Sequence, residues 1–269
     1  MKVMSYNTLF GGFDGTDDRR FLAQKEVVEA VNPDVLLVQE AKQFEANGHR
    51  RFYQVEAALN RRGFLALAPH TGQNTAIFVR DGIQPLAFES DSVHFHHAAA
   101  FGTFNIPGFE QPITFISAHL CPFGSQVRLA EAAYLASHAA PDKLTLVAGD
   151  FNSVSPYDPE PIGWETLPSH FQARYLSLDG KTADKRILET LYLAGFSDIA
   201  HCFQQHTEAT VPGKAFKGTE FIPFRSDYIL ASAALAETAI SYAVIKNDHT
   251  DMASDHYPVV AEFGSHSLE

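Results

Sequence analysis

Two short segments, Val35–Val38 and Leu144–Ala148, are apolar at nearly every position and bounded by turn residues. Runs of this kind and length read as buried strands, and apolar character on both faces requires a sheet covered on both sides. Val3–Tyr6, Ala76–Val79, Ile113–Ser117, Tyr228–Leu230 and Val259–Phe263 read as strands too. Helices are predicted between some of them, over Asp17–Val31, Gln126–His138 and Thr182–Ala194. The last opens on Thr182 as an N-cap and closes on Gly195 as a C-cap. Asn105-Ile106-Pro107-Gly108, between strand-like runs, predicts a hairpin. Strands and helices mixed without strict alternation predict a layered α/β sandwich, two sheets inside and helices outside.

The chain ends add three expectations. The 269 residues allow one large domain, read here as 1–263, with a polar tail over 264–269 in which Leu268-Glu269 looks like a cloning scar. The N-terminus goes straight into strand-like alternation without the apolar region of a signal peptide, so a cytoplasmic location is expected. No apolar run approaches the ~18 residues a membrane span needs. Two cysteines rule out a disulfide framework, and Cys121 is expected to be a small core residue.

The polar residues fall in a positional pattern. Asn7 follows Val3–Tyr6, Glu40 follows Val35–Val38, and His119 follows Phe115–Ala118. Asp150 and Asn152 follow Leu144–Ala148, while Asp227 and the pair Asp255-His256 precede strands. One such residue is ordinarily a turn cap. Six strand ends of this type can converge on one rim if the strands share sheets. A half-buried carboxylate there needs a partner or a cation. Carboxylates and side-chain amides suit a hard divalent cation such as Mg²⁺. The 13 histidines include no helical zinc spacing.

Six blocks occur in order: Met4-Ser5-Tyr6-Asn7, Pro33 to Glu40, Ser117-Ala118-His119-Leu120, Gly149-Asp150-Phe151-Asn152-Ser153, Arg225 to Ile229, and Ser254 to Val259. Together they resemble the endonuclease/exonuclease/phosphatase superfamily, which includes deoxyribonuclease I, repair nucleases, sphingomyelinases and inositol polyphosphate phosphatases. The resemblance implies a four-layer α/β sandwich, two mixed β-sheets packed face to face with helices on both outer sides. It implies phosphoester cleavage with Mg²⁺ or Mn²⁺ by in-line attack of water on phosphorus. It makes Glu40 the main metal ligand, with Asn7 and Asp255 close by. Asp150 would orient or deprotonate the water, Asn152 would hold water or a phosphoryl oxygen, and His256, fixed by Asp227, would contact the phosphate. His119 would donate to a phosphoryl or leaving-group oxygen. It stands where repair endonucleases carry Tyr, and the Glu that partners the equivalent His in deoxyribonuclease I has no counterpart in Pro69 to Asn74. Asn74 resembles a position lining the site. Arg128 either binds phosphate or pairs with Glu131 or Glu26.

The formal charge of −12, from 20 basic and 32 acidic residues, disfavours a protein that holds nucleic acid through a basic surface. A monomer acting on a small or medium organic phosphate is the expectation, as phosphatase or phosphodiesterase. A nuclease on DNA or RNA is the alternative, and a non-catalytic binding homologue a third reading. The basic candidates are Lys214 and Lys217, with Arg50-Arg51 and Arg61-Arg62 placed on an outer helix; His94, His96 and His97 would add charge below neutral pH. Ser155 to Arg174, rich in Pro and aromatic residues, reads either as a lid or as a plain surface loop.

Overall fold

The computed structural model describes residues 1–203, 208–217 and 220–264. Nearly all of the expected polar tail, including Leu268-Glu269, lies outside the described residues. Two six-stranded mixed sheets pack face to face. The first contains β1 (Lys2–Asn7), β2 (Val35–Gln39), β3 (Arg61–Ala66), β4 (Thr75–Arg80), β11 (Ala239–Val244) and β12 (Val259–Phe263), in the order β11-β12-β1-β2-β4-β3. The second contains β5 (Gln84–Asp91), β6 (Ala99–Asn105), β7 (Ile113–His119), β8 (Leu144–Asp150), β9 (Phe196–Asp198) and β10 (Asp227–Ser232), in the order β5-β6-β7-β8-β10-β9.

Strand alternation builds three apolar layers. Val3, Val35, Leu37 and Ile77 face Phe104, Phe115, Leu146 and Ile229 between the sheets. Their neighbours Met4, Leu36, Val38 and Phe78 point outward, under α1 (Arg19–Val31) and α2 (Ala46–Leu59). On the far side Ile116, Ala118, Val147 and Leu230 lie under α3 (Ser125–Ala136) and, beyond the short α4 (Ser169–Tyr175), α5 (Arg186–Ala194). The central strands are therefore apolar on both faces, as the sequence required.

Each sheet holds one parallel pair, β1 with β2 and β7 with β8. A parallel pair needs a long crossover, supplied by α1 and α3. All four strands consequently end on one rim, at Asn7, Gln39, His119 and Asp150. β10 runs antiparallel to β8 with Asp227 opposite Asp150. β12 runs antiparallel to β1, which returns Asp255-His256 to the same rim. Beneath it, Gln39 is fully buried and ties the sheets together, its Nε2 donating to Ser117 Oγ at 3.0 Å while Ser5 Oγ donates to its Oε1 at 3.4 Å.

Gly149 lies in β8, opposite Ala118 of β7. Its φ of 151° is unfavourable for a side chain, and a Cβ would stand 2.8 Å from the Ala118 carbonyl carbon and closer still to its oxygen. Gly thus permits the spacing of β7 and β8 one residue before Asp150.

Two local expectations are corrected, and one reading left open is narrowed. The third helix starts at Arg186, not Thr182, because the Thr182 amide and hydroxyl are taken by Asp179 in a preceding turn. Arg61-Arg62 lie on β3, paired with Arg80 and Val79, rather than on a helix. Ser155 to Arg174 is no plain loop: Trp164 and Tyr175 stack at 5.5 Å and pack with Val211, Phe221 and Phe224 in a separate apolar cluster. No helix among the described residues is long and apolar enough to cross a membrane.

Candidate active site

A cleft of about 420 Å³ opens on the rim, lined among others by Glu40, His119, Asp150, Asn152, Asp255 and His256. One wall carries Thr71, Gln73, His96 and His97, and another Arg174, Tyr175, Glu220 and Phe221. Asp150 lies at its centre. Its Oδ1 accepts from Ser226 Oγ at 2.6 Å and the Asn152 amide at 2.9 Å. Its Oδ2 accepts from Asn7 Nδ2 at 3.1 Å, with His119 Nε2 at 3.4 Å and His256 Nε2 at 3.6 Å. Burial alone would raise this carboxyl, but His256, His119 and the hydrogen bonds outweigh it and hold the group below its ordinary value.

His256 is buried between two carboxylates, its Nδ1 2.8 Å from Asp227 Oδ2. Burial disfavours the imidazolium, yet Asp227 and Asp150 together lift the ring well above the usual histidine range. His256, Asp150 and Asp227 each offer one ligand atom within 4.8 Å of the others. While His256 is protonated the three form a closed ion-paired group, and only the neutral ring could ligate a cation there.

Glu40 stands differently. Its residue has a left-handed φ of 58°, which turns the chain as it leaves β2. Oε1 accepts from Asn7 Nδ2 at 3.3 Å and Oε2 from the Phe10 amide at 3.2 Å. Burial and the neighbouring Asp255 push this carboxyl up to about 7. A carboxylate among carboxylates, held by two neutral donors, is the environment a cation would relieve. The carboxylate oxygens of Glu40 and Asp255 fit Mg²⁺ or Mn²⁺, while Asn7 turns its Nδ2 to Glu40 and Asp150 and its Oδ1 accepts from the Leu9 amide at 3.1 Å.

His119 is pushed down to about 4, chiefly by burial, so its ring is neutral near pH 7. Among the described residues its Nδ1 has no hydrogen-bond partner, and the His97 ring lies over it at 4.4 Å. No glutamate takes the position of a partner: Glu45 accepts from Asn74 instead.

Four sequence candidates lie outside the cleft lining: Asn7 and Asp227, which bond to the lining side chains of Glu40, Asp150 and His256, and Asn74 and Arg128. Asn74 is buried behind it, its Oδ1 accepting from the Ala68 amide at 2.8 Å and its Nδ2 donating to Ala41 O at 3.0 Å. It ties the turn after Glu40 to the start of β4. Arg128 is wholly buried and pairs with neither Glu131 nor Glu26. It donates to Cys121 O at 2.9 Å and to Arg174 O, joining α3 to the end of α4. Glu131 instead accepts from the amides of His96 and Cys121, both at 2.8 Å. Cys121 is a buried core residue, as expected. The His96-His97 wall was visible in the sequence only as clustered histidines, and burial lowers both rings, so they add no charge near neutrality.

A model of the Endonuclease/Exonuclease/phosphatase family matches residues 4–256. The chain belongs to the endonuclease/exonuclease/phosphatase family. That family consists of metal-dependent phosphoesterases and nucleases, which places the protein among hydrolytic enzymes of this type. Similar solved structures share the fold at low identity. A conserved protein of unknown function from Enterococcus faecalis V583 is 17% identical with a TM-score of 0.71, covering 98% of this chain and 100% of its own. An AP endonuclease from Archaeoglobus fulgidus is 19% identical with a TM-score of 0.69, over 98% and 99%. A mannosyl-6-phosphatase from Bacteroides thetaiotaomicron VPI-5482 is 16% identical with a TM-score of 0.66, over 97% and 98%. No curated protein matches the sequence. The fold is thus similar to those of a nuclease and of a phosphatase.

Proposed function

We propose that the protein is a Mg²⁺- or Mn²⁺-dependent phosphoester hydrolase acting on a small organic phosphate. The observation that carries this reading is the composition of the cleft. It joins a carboxylate cluster to an Asp227–His256 pair, and α4 closes one side of it through Arg174 and Tyr175. The basic residues that would track a polyanion are elsewhere. Lys214 pairs with Asp251, Lys217 lines a separate surface depression, and Arg50 lines another.

Glu40 and Asp255 would hold the cation, with Asn7 positioning Glu40 through Nδ2, and the bound cation would neutralise charge on the phosphoryl oxygens. The side chains divide the remaining work. Asp150, ionised and fixed by Ser226 and Asn152, orients the attacking water and accepts its proton. His256, kept protonated by Asp227, donates from Nε2 to a phosphoryl oxygen. Asn152 Nδ2 points to Leu120 O at 3.0 Å and Asp150 Oδ2 at 3.4 Å, which holds the carboxylate's orientation. His119, neutral near pH 7, serves as a hydrogen-bond donor rather than as a store of a transferable proton.

The test is hydrolysis of a panel of phosphoesters with Mg²⁺ or Mn²⁺. Asp150→Asn and Glu40→Gln should each lower kcat by at least about 100-fold while the protein stays folded. Absence of turnover on every phosphoester, or full activity in either variant, would refute the reading. Preferential degradation of plasmid or single-stranded DNA would move it to the nuclease alternative.

A further inference from the structure

We propose that Thr71, Gln73, His96 and His97 form a subsite for a neutral, hydroxylated ring, so that the substrate is a sugar-like polyol carrying a single phosphate. This rests on the phosphoester hydrolase reading and names its substrate class.

Among the described residues, three unpartnered polar atoms lie on this wall and a fourth on His119 beside it. His96 Nε2, His97 Nε2, His119 Nδ1 and Gln73 Oε1 are buried without a hydrogen-bond partner, and all four residues line the one cleft. Buried polar groups are ordinarily satisfied, so a cluster of exceptions in a cleft points to a ligand that completes them. The chemistry of the four atoms is mixed. Gln73 Oε1 can only accept. His97 Nδ1 lies 2.9 Å from Thr71 Oγ1, and either tautomer leaves Nε2 as a free donor or a free acceptor. A hydroxyl satisfies both kinds of site, whereas a phosphate oxygen only accepts.

Charge excludes a second phosphate. Arg174 is the one arginine or lysine among the lining residues, and it is ion-paired with Glu220. Lys42, over the Phe10 ring at 4.2 Å, is not among them. The His97 ring is pushed down to about 2 by burial and by His119, so it brings no charge. The carboxylates of Glu40, Asp150, Asp255 and Glu220 line the same space. At the cleft edge Phe10 and Phe123 are 38% and 64% exposed, an apolar surface for the C–H face of a ring. The volume of about 420 Å³ suits a small molecule.

The experiment compares kcat/KM for a hexose monophosphate, a hexose bisphosphate, a nucleoside 5′-monophosphate, an oligonucleotide and p-nitrophenyl phosphate. The hexose monophosphate should lead by about tenfold or more, and Gln73→Leu and His97→Phe should each reduce its advantage over p-nitrophenyl phosphate about tenfold, through KM. Gln73 is only half-buried, so its variant keeps the test open should the His97 variant fail to fold. Unchanged selectivity in Gln73→Leu, or preference for the bisphosphate, nucleotide or oligonucleotide, overturns the proposal. If no ester is hydrolysed, the hydrolase reading fails separately. Calorimetry with a non-hydrolysable hexose phosphonate then decides the subsite, binding weakened in Gln73→Leu supporting it and no binding to the unaltered protein overturning it.

Discussion

Gly149→Ala tests whether the spacing of β7 and β8 governs the site. The added methyl would stand 2.8 Å from the Ala118 carbonyl carbon and 3.2 Å from its nitrogen. Carbon atoms in contact rest at roughly 3.5–4.0 Å and the Ala118 oxygen is nearer still, so the strands must separate by more than about 1 Å. Overpacking of this kind costs about 1–3 kcal/mol, and the unfavourable φ adds about 1–3 kcal/mol. For a chain of this size the sum lowers Tm by roughly 10 °C. Gly82→Ala supplies the comparison: its φ is 88° with nothing within 4 Å, so it pays only for the backbone. The assay is thermal unfolding by circular dichroism, run beside phosphoester turnover at a temperature where both variants are folded. Activity should fall further in Gly149→Ala than in Gly82→Ala, because parting β7 from β8 moves His119 from Asp150. A Tm for Gly149→Ala equal to that of Gly82→Ala, with activity intact, would refute the reasoning.

Cation binding should be linked to a proton on Glu40. Because its carboxyl is raised to about 7, Mg²⁺ affinity measured by calorimetry should fall about tenfold per pH unit below 7, and this dependence should vanish in Glu40→Gln. The sign for stability is the reverse of an ordinary salt-bridged acid. The cation-free protein should lose stability as pH rises from about 4.5, the ordinary value, to about 7, and added Mg²⁺ should restore it. Arg225 is buried between Asp158 and Asp198, at 2.8 and 2.6 Å. Arg225→Met should destabilise by about 3–5 kcal/mol in urea unfolding, since two carboxylates lose their shared partner.

The strands that bear the site were legible because burial on both faces leaves an unbroken apolar run. β5 was not, since it is an edge strand whose positions are largely exposed. β3, the opposite kind of edge, begins with two arginines and contains Gly63, which reads as neither period. α2 escaped notice beyond Arg50-Arg51 because Asn47, Gly48 and His49 open it in left-handed backbone. Within the site, a polar residue at a strand end led to Glu40 and Asp150, which line the cleft, and to Asp227, which bonds to His256. Asn74 also precedes a strand, but its side chain bonds to the Ala68 amide, Ala41 O and Glu45 behind the cleft. Sequence position cannot distinguish a group that faces the cleft from one that faces the turn behind it. The length of Arg128 likewise concealed its direction: it runs inward to two carbonyls rather than out to a phosphate.

Gln39 spans the two sheets directly below the rim, and the groups above it divide along the same line. Asn7, Glu40 and Asp255 hang from the first sheet, while His119, Asp150 and Asp227 hang from the second. His256 follows Asp255 in the chain but makes its ion pairs across the gap. The reactive arrangement therefore exists only while the sheets are in register with one another. Catalysis becomes a gauge of that docking, able to register a slip between two intact layers that no measure of helix or strand content would detect.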